Sequence, residues 1–250
     1  MFDLSKHRFI LVQILKDVYS DGKLGRYLGF KGGTACYLFY NLPRFSVDLD
    51  FNLINKGEKD EVFEKVKSIL EKYGKLTEAR EKRFTLFFLL SYGREIKNIK
   101  VEISKRNFPD NYQVKNYLGI PVMVMKKEDI FAHKLVALLE RTNIANRDLF
   151  DLWYFMKNHW TINRELVEVR TKEKFKSYLR ECIVRIKKVN EKYILQGLGE
   201  VLDNKQKEWV RKNLNSHTHT FVPSFFRTIV LSFLSSSHCN TILTPKLINS

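Results

Sequence analysis

Two carboxylates, Asp48 and Asp50, follow a glycine pair, Gly32-Gly33, within the stretch FKGGTACYLFYNLPRFSVDLDF that spans residues 30–51. Successive side chains of a strand leave opposite faces, so Asp48 and Asp50 share one face while Leu49 and Phe51 point into a core. Two acids held side by side repel each other, and a divalent cation between them relieves the repulsion. Glycines let backbone N–H groups come close to a ligand, and a helix N-terminus just after them favours an anion. An anion site and a cation site are thus separated by one short helix and a turn. That pairing suits a nucleoside triphosphate (NTP) carrying magnesium. Gly32, Gly33 and Thr34 are the candidate cradle for its phosphates, with Arg44 and Ser46, just before the acids, as further nucleotide contacts.

The order KGGTA then RFSVDLDF resembles the signature of the polymerase-β-like nucleotidyltransferases, and in this form the AbiEii family of toxins from abortive-infection toxin–antitoxin systems. The resemblance implies an α+β fold: a nucleotidyltransferase core with a mixed β-sheet and flanking helices, then an α-helical C-terminal region. It also implies a third acid on a later strand. Metal-dependent nucleotidyl transfer uses three: two bridge a pair of Mg²⁺ ions, and the third holds the catalytic ion and can take the proton of the attacking hydroxyl. In the run Ile99 to Ser104, Ile99, Val101 and Ile103 alternate with Lys100, Glu102 and Ser104, so Glu102 faces away from the packing face. If this strand lies beside Ser46–Ile54, Asp48, Asp50 and Glu102 converge as metal ligands. A Glu stands here where the family more often has Asp, and its longer arm shifts the ion or requires the strand to sit back.

A second cluster lies in EDIFAHKLVALLERTNIANRDLFDLWYF. Lys134 and Arg141 fall near one helix face, beside a stripe of Phe131, Leu135 and Leu138. Asp148 and Asp151 share a face of the next helix. The cluster resembles the second AbiEii block, a Lys followed by R-D-x-x-D. That resemblance implies that Lys134 contacts the triphosphate and that Asp148, with Asp151, holds the site together. Asp148 also suits the first turn of its helix, where the macrodipole favours an acid.

The elements that must position these residues follow from periodicity. Leu4 to Tyr19 reads as a helix, Tyr27 to Phe30 as a strand, and Thr34 to Tyr40 as a helix stopped by Pro43. Glu58 to Tyr73 is an amphipathic outer helix. Phe84–Tyr92, Ile99–Ser104, Tyr112–Leu118 and Val122–Met125 read as strands, and everything from Lys126 to about Leu214 as helical. The expected organisation is a nucleotidyltransferase core over 1–125, a helical region completing the cleft over 126–214, and an atypical tail over 215–250. The tail holds only Arg227 and Lys246 as charged residues, and its His217-Thr218-His219 reads as a chance pairing.

The chain of 250 residues carries a net charge of +16, which suits a polyanionic partner such as nucleic acid. Lys/Arg-rich runs at Arg164–Lys176 and Arg180–Lys192, with Phe175 and Tyr178 interleaved, are candidate phosphate contacts. Cys36, Cys182 and Cys239 are too scattered for a metal site or a disulfide framework. The start MFDLSKHRF lacks the pattern of a signal peptide and no run reaches the length of a membrane span, so a cytoplasmic protein without membrane partners is expected. Resemblance to the toxin family implies an RNA acceptor such as a tRNA 3′ end, and a separately encoded antitoxin as regulator. The alternatives are a transferase acting on a protein hydroxyl or an aminoglycoside-like small molecule, and a nucleotide- or RNA-binding module without catalysis. No G-x-S-x-G, H-E-x-x-H or GK[ST] motif points to other chemistry.

Overall fold

The computed structural model describes residues 3–93, 98–189 and 191–215. The elements run α1 (Leu4–Ser20), α2 (Leu24–Tyr27), β1 (Leu28–Lys31), α3 (Gly32–Phe39), β2 (Leu49–Leu53), α4 (Lys59–Glu71), β3 (Lys75–Glu81), β4 (Thr85–Ser91), β5 (Ile99–Ser104), β6 (Tyr112–Tyr117), β7 (Ile120–Met125), α5 (Lys127–Glu140), α6 (Asn146–Lys157), α7 (Arg164–Thr171), α8 (Phe175–Lys187) and α9 (Asn204–Asn215). The tail expected over 215–250 lies, beyond Asn215, outside the described residues.

The strands form one mixed sheet in the order β3-β4-β5-β2-β1-β7-β6. Its parallel contacts are β2 with β5 and β1 with β7, and the other neighbours are antiparallel. The strand that periodicity missed is β3. Its sequence KLTEARE shows little apolar alternation because it is an edge strand with mostly exposed or half-exposed side chains.

One face of the sheet is the core. Phe30 and Phe51 are register partners, with ring centroids 5.2 Å apart, and Phe51 meets Tyr19 of α1 while Phe30 meets Phe39 of α3. Farther along the same face Phe88 of β4 meets Phe63 of α4. The alternation that sends these rings toward the helices sends Lys31, Asp50 and Glu102 to the opposite face.

The helices from α5 onward bury their own apolar stripe, including Phe131, Leu135, Leu138 and Phe155, and Trp160 stacks on Phe155 at 4.1 Å. They are tied to the sheet half through Tyr40, whose hydroxyl donates to the Met125 carbonyl (2.7 Å) and whose own carbonyl accepts from Tyr154 (3.1 Å). Phe45 N–H donates to the Val201 carbonyl at 2.9 Å.

Candidate active site

The open face of the sheet gathers charge where β1, β2 and β5 lie side by side. In the parallel β2–β5 ladder, Asp50 and Glu102 are register partners, so both leave the sheet on one side. Lys31, at the end of β1, is opposite Asp50 on its other flank. Asp48 precedes β2 by one residue and is half-buried. Burial raises the Asp50 carboxyl above the ordinary range, Asp48 and Glu102 add to the rise, and Lys100 and Lys31 oppose it. The Lys31 ammonium is pulled below its usual value by burial, against the attraction of Asp50 and Asp110.

The glycine pair opens α3 directly from β1. Gly32 has φ +79°, and a side chain there would strike the Asp50 carboxylate, so glycine is required on both counts. A Cβ on Gly33 would come within 2.8 Å of Ser46 Oγ and 3.0 Å of an Arg44 guanidinium nitrogen. The helix N-cap, Lys31, makes no side-chain capping bond, so the first-turn amides of α3 are not capped in that way. The Thr34 hydroxyl is buried and donates to the Asp48 carbonyl, tying the helix start to the carboxylate turn.

Arg44 takes a different place from the one its position suggests. Its guanidinium is buried and forks onto Asp151, Nε to Oδ1 at 2.5 Å and Nη2 to Oδ2 at 2.6 Å. Asp151 also meets Lys134 Nζ (2.7 Å), which meets Asp148 (2.6 Å), whose other oxygen faces Arg141 (3.0 Å). The second sequence block is thus joined to Gly33 of the first through Arg44. Burial alone would raise the Asp151 carboxyl, but Arg44 and Lys134 hold it below the usual range. Burial likewise opposes the Lys134 charge, and Asp148 with Asp151 more than compensates, raising its pKa. Asp148 lies in the first turn of α6.

Asp48, Asp50 and Glu102 suit a hard divalent ion by chemistry: all three offer oxygen donors. Among the described residues, however, no three acid, histidine or cysteine side chains are already drawn into a metal cage. A lysine lies between two of these acids. Lys100 Nζ lies 2.8 Å from Glu102 and 3.5 Å from Asp48. The alternation in β5 had put Lys100 on this face, but only the β2–β5 pairing brings it to Asp48.

Two supports carried no sequence signal. His7 of α1 is buried, donating from Nε2 to the Val47 carbonyl (2.9 Å) while Nδ1 accepts from Tyr92 (2.5 Å), so it braces the residue before Asp48. Asp110 accepts from Asn52 and from His133 Nε2, both at 2.6 Å, linking β2 to α5 one residue before Lys134. Neighbours this distant in sequence leave no periodic trace.

The basic C-terminal runs divide on folding. Phe175 and Tyr178 are buried, and the Tyr178 hydroxyl donates to the Val136 carbonyl at 2.8 Å, so these rings pack inward and offer no stacking surface. Among the described residues of this region, Tyr193 has an exposed ring, at 61%. It borders a groove of about 420 Å³ lined by Asn143, Asn146, Arg185, Lys188 and Gln196 among others. Arg185 donates to the carbonyls of Arg141 and Thr142, placing the groove next to the Lys134–Asp148–Arg141 cluster. Among the described residues, no helix is long and apolar enough to cross a membrane.

Comparison with known proteins agrees with this architecture. A family model described as the nucleotidyl transferase AbiEii toxin of a type IV toxin–antitoxin system matches residues 13–224. An uncharacterized protein of Aquifex aeolicus (strain VF5) is 31% identical over 159 residues, 62% of this chain and 69% of its own length. Among solved structures, a protein of H. pylori provisionally assigned as a nucleotidyltransferase superposes with a TM-score of 0.61 at 23% identity, covering 94% of this chain and 97% of that one. JHP933 from Helicobacter pylori gives 0.56 at 23% identity, covering 94% and 100%. At these identities the two structures speak for the fold, and the fold is the nucleotidyltransferase one expected from the sequence.

Proposed function

The chain belongs to the AbiEii nucleotidyltransferase toxin family, and from that premise we propose that it transfers a nucleoside monophosphate from an NTP to an RNA hydroxyl, with Mg²⁺ as the metal and a tRNA 3′ end as the acceptor. The observation that carries this reading is the register of Asp50 with Glu102 beside Gly32. Asp48, Asp50 and Glu102 are the proposed metal ligands. The bound metal supplies charge stabilisation at the α-phosphate. Amides at Gly32 and Gly33, held in place by Ser46, Thr34 and Arg44, receive the outer phosphates. Lys134, fixed between Asp148 and Asp151, keeps a donor for the departing pyrophosphate. The acceptor oxygen forms a bond to the α-phosphorus as the bond to pyrophosphate breaks, and the hydroxyl proton passes to Glu102. Arg44, forked onto Asp151, acts from beneath by holding the glycine turn and the second block together.

Support for an RNA acceptor comes from the net charge of +16 and from the groove at Arg185, Lys188 and Tyr193, where two cations flank an exposed ring. The type IV toxin–antitoxin setting of the family supports a separately encoded antitoxin and action in the cytoplasm.

The test is to incubate purified protein with total RNA, Mg²⁺ and each α-³²P-labelled NTP in turn, beside Asp48→Ala, on a denaturing gel. A labelled tRNA-sized band absent from the variant is the expected result. Near wild-type labelling by Asp48→Ala would overturn the mechanism. Labelled protein in place of labelled RNA would overturn the acceptor.

A further inference from the structure

Lys100 and Glu102 share the open face of β5, and the β2–β5 pairing sets both beside the Asp48–Asp50 pair. The Lys100 ammonium contacts Glu102 at 2.8 Å and Asp48 at 3.5 Å, and all three acids act on its charge. Three acids on one patch of sheet repel each other in the absence of a counter-charge. The described acids form no ready metal cage, and an ammonium occupies the place between two of them. An ammonium seated between these carboxylates and a divalent ion bound by them repel each other, so the two compete for the same place. The lysine is free to yield, because its side chain is 34% exposed and its stem is flexible.

We propose that Lys100 is the resident counter-cation of the metal site: it neutralises Asp48 and Glu102 in the metal-free protein, competes with the divalent ion for them, and swings out toward solvent when the ion binds. The inference rests on the assignment of these acids as metal ligands. It makes Lys100 a positioning residue, one that keeps the acids in register without an ion and sets the metal concentration at which the site closes.

The test titrates Mn²⁺ alone, followed by its paramagnetic resonance signal, into the wild-type chain, Lys100→Met, Lys105→Met and Asp50→Asn. Lys105 belongs to the same sheet region but pairs with Glu81, so its variant removes an equal charge away from the site. Lys100→Met is expected to bind Mn²⁺ about tenfold more tightly, with Lys105→Met unchanged, because a direct competitor has been removed and not merely a distant charge. In the presence of a chelator, Lys100→Met should melt below the wild type, and Mn²⁺ should raise its melting temperature more than that of the wild type. Equal or weaker Mn²⁺ binding by Lys100→Met would overturn the inference while leaving the metal site intact. Equal tightening by Lys105→Met would overturn it too, in favour of a general field. Wild-type binding that survives Asp50→Asn unchanged would overturn the ligand assignment and the inference with it.

Discussion

Asp50 and Glu102 are register partners on the parallel strands β2 and β5, fifty-two positions apart in sequence, and stand on the same face of the sheet. The pairing sets Glu102 beside Asp50, whose carboxylate fills the room left by the missing side chain of Gly32. Substituting Asp50→Asn or Glu102→Gln should lower nucleotidyl transfer by roughly a hundredfold or more while leaving the melting temperature within a few degrees, because the metal supplies most of the charge stabilisation. Activity assays paired with thermal melts check both halves. Variants retaining a third of wild-type turnover would remove these acids from the mechanism.

Asp151 is fully buried between Arg44 and Lys134. Asp151→Asn should destabilise the protein by about 3–5 kcal/mol, since two buried cations lose their shared partner. The pH dependence has a definite sign. The folded-state value lies below the ordinary 3.8, so the contribution is present above that pH and is lost as pH falls through the folded value. The difference between wild type and Asp151→Asn in urea melts should therefore shrink below that pH.

Two glycines with similar positive φ should respond differently to alanine. Gly32 has φ +79° and the Asp50 carboxylate against it, whereas Gly119 has φ +85° and open space. Gly119→Ala should cost only the conformational strain, about 1 kcal/mol, with activity unchanged. Gly32→Ala should cost more and should also abolish transfer by displacing Asp50. Equal losses of activity in both variants would contradict this account.

His7 has no place among the charged groups of the site, yet it braces Val47, next to Asp48. His7→Ala leaves the Val47 carbonyl and the Tyr92 hydroxyl without this partner, at an expected cost of about 2–3 kcal/mol. The lowered melting temperature should come with a reduced kcat and little change in the KM for NTP. A stability loss with full turnover would show that Asp48 is held without it.

If the groove beside Arg141 receives the RNA acceptor, Tyr193→Ala and Lys188→Glu should raise the KM for RNA by about tenfold and leave NTP binding unchanged. Loss of one phosphate contact at Lys188 should also reduce the slope of log affinity against log salt by roughly one. An unaltered RNA KM and salt slope would send the search for the acceptor path elsewhere.

The sequence alone determined the local facts: the glycine pair, the close spacing of Asp48 and Asp50, the alternation that frees Glu102 from the core, and the helical spacing of Lys134 with Arg141 and of Asp148 with Asp151. These are legible because side-chain direction on a strand or helix is periodic and needs no knowledge of distant neighbours. It also supported the family and the fold, since the two blocks recur as linked patterns. The order of strands, by contrast, is a matter of long-range pairing. Only that pairing joined β5 to β2 and set Lys100 among the acids, and it left β3 on an exposed edge where apolar periodicity does not show. Tertiary packing likewise turned Arg44 inward onto Asp151, gave the Thr34 hydroxyl to the Asp48 carbonyl, and buried Phe175 and Tyr178. A charged or aromatic side chain carries no mark of its partner in its own neighbourhood. Whether it meets a ligand, a buried counter-charge or a core is decided by which remote segment the fold lays against it.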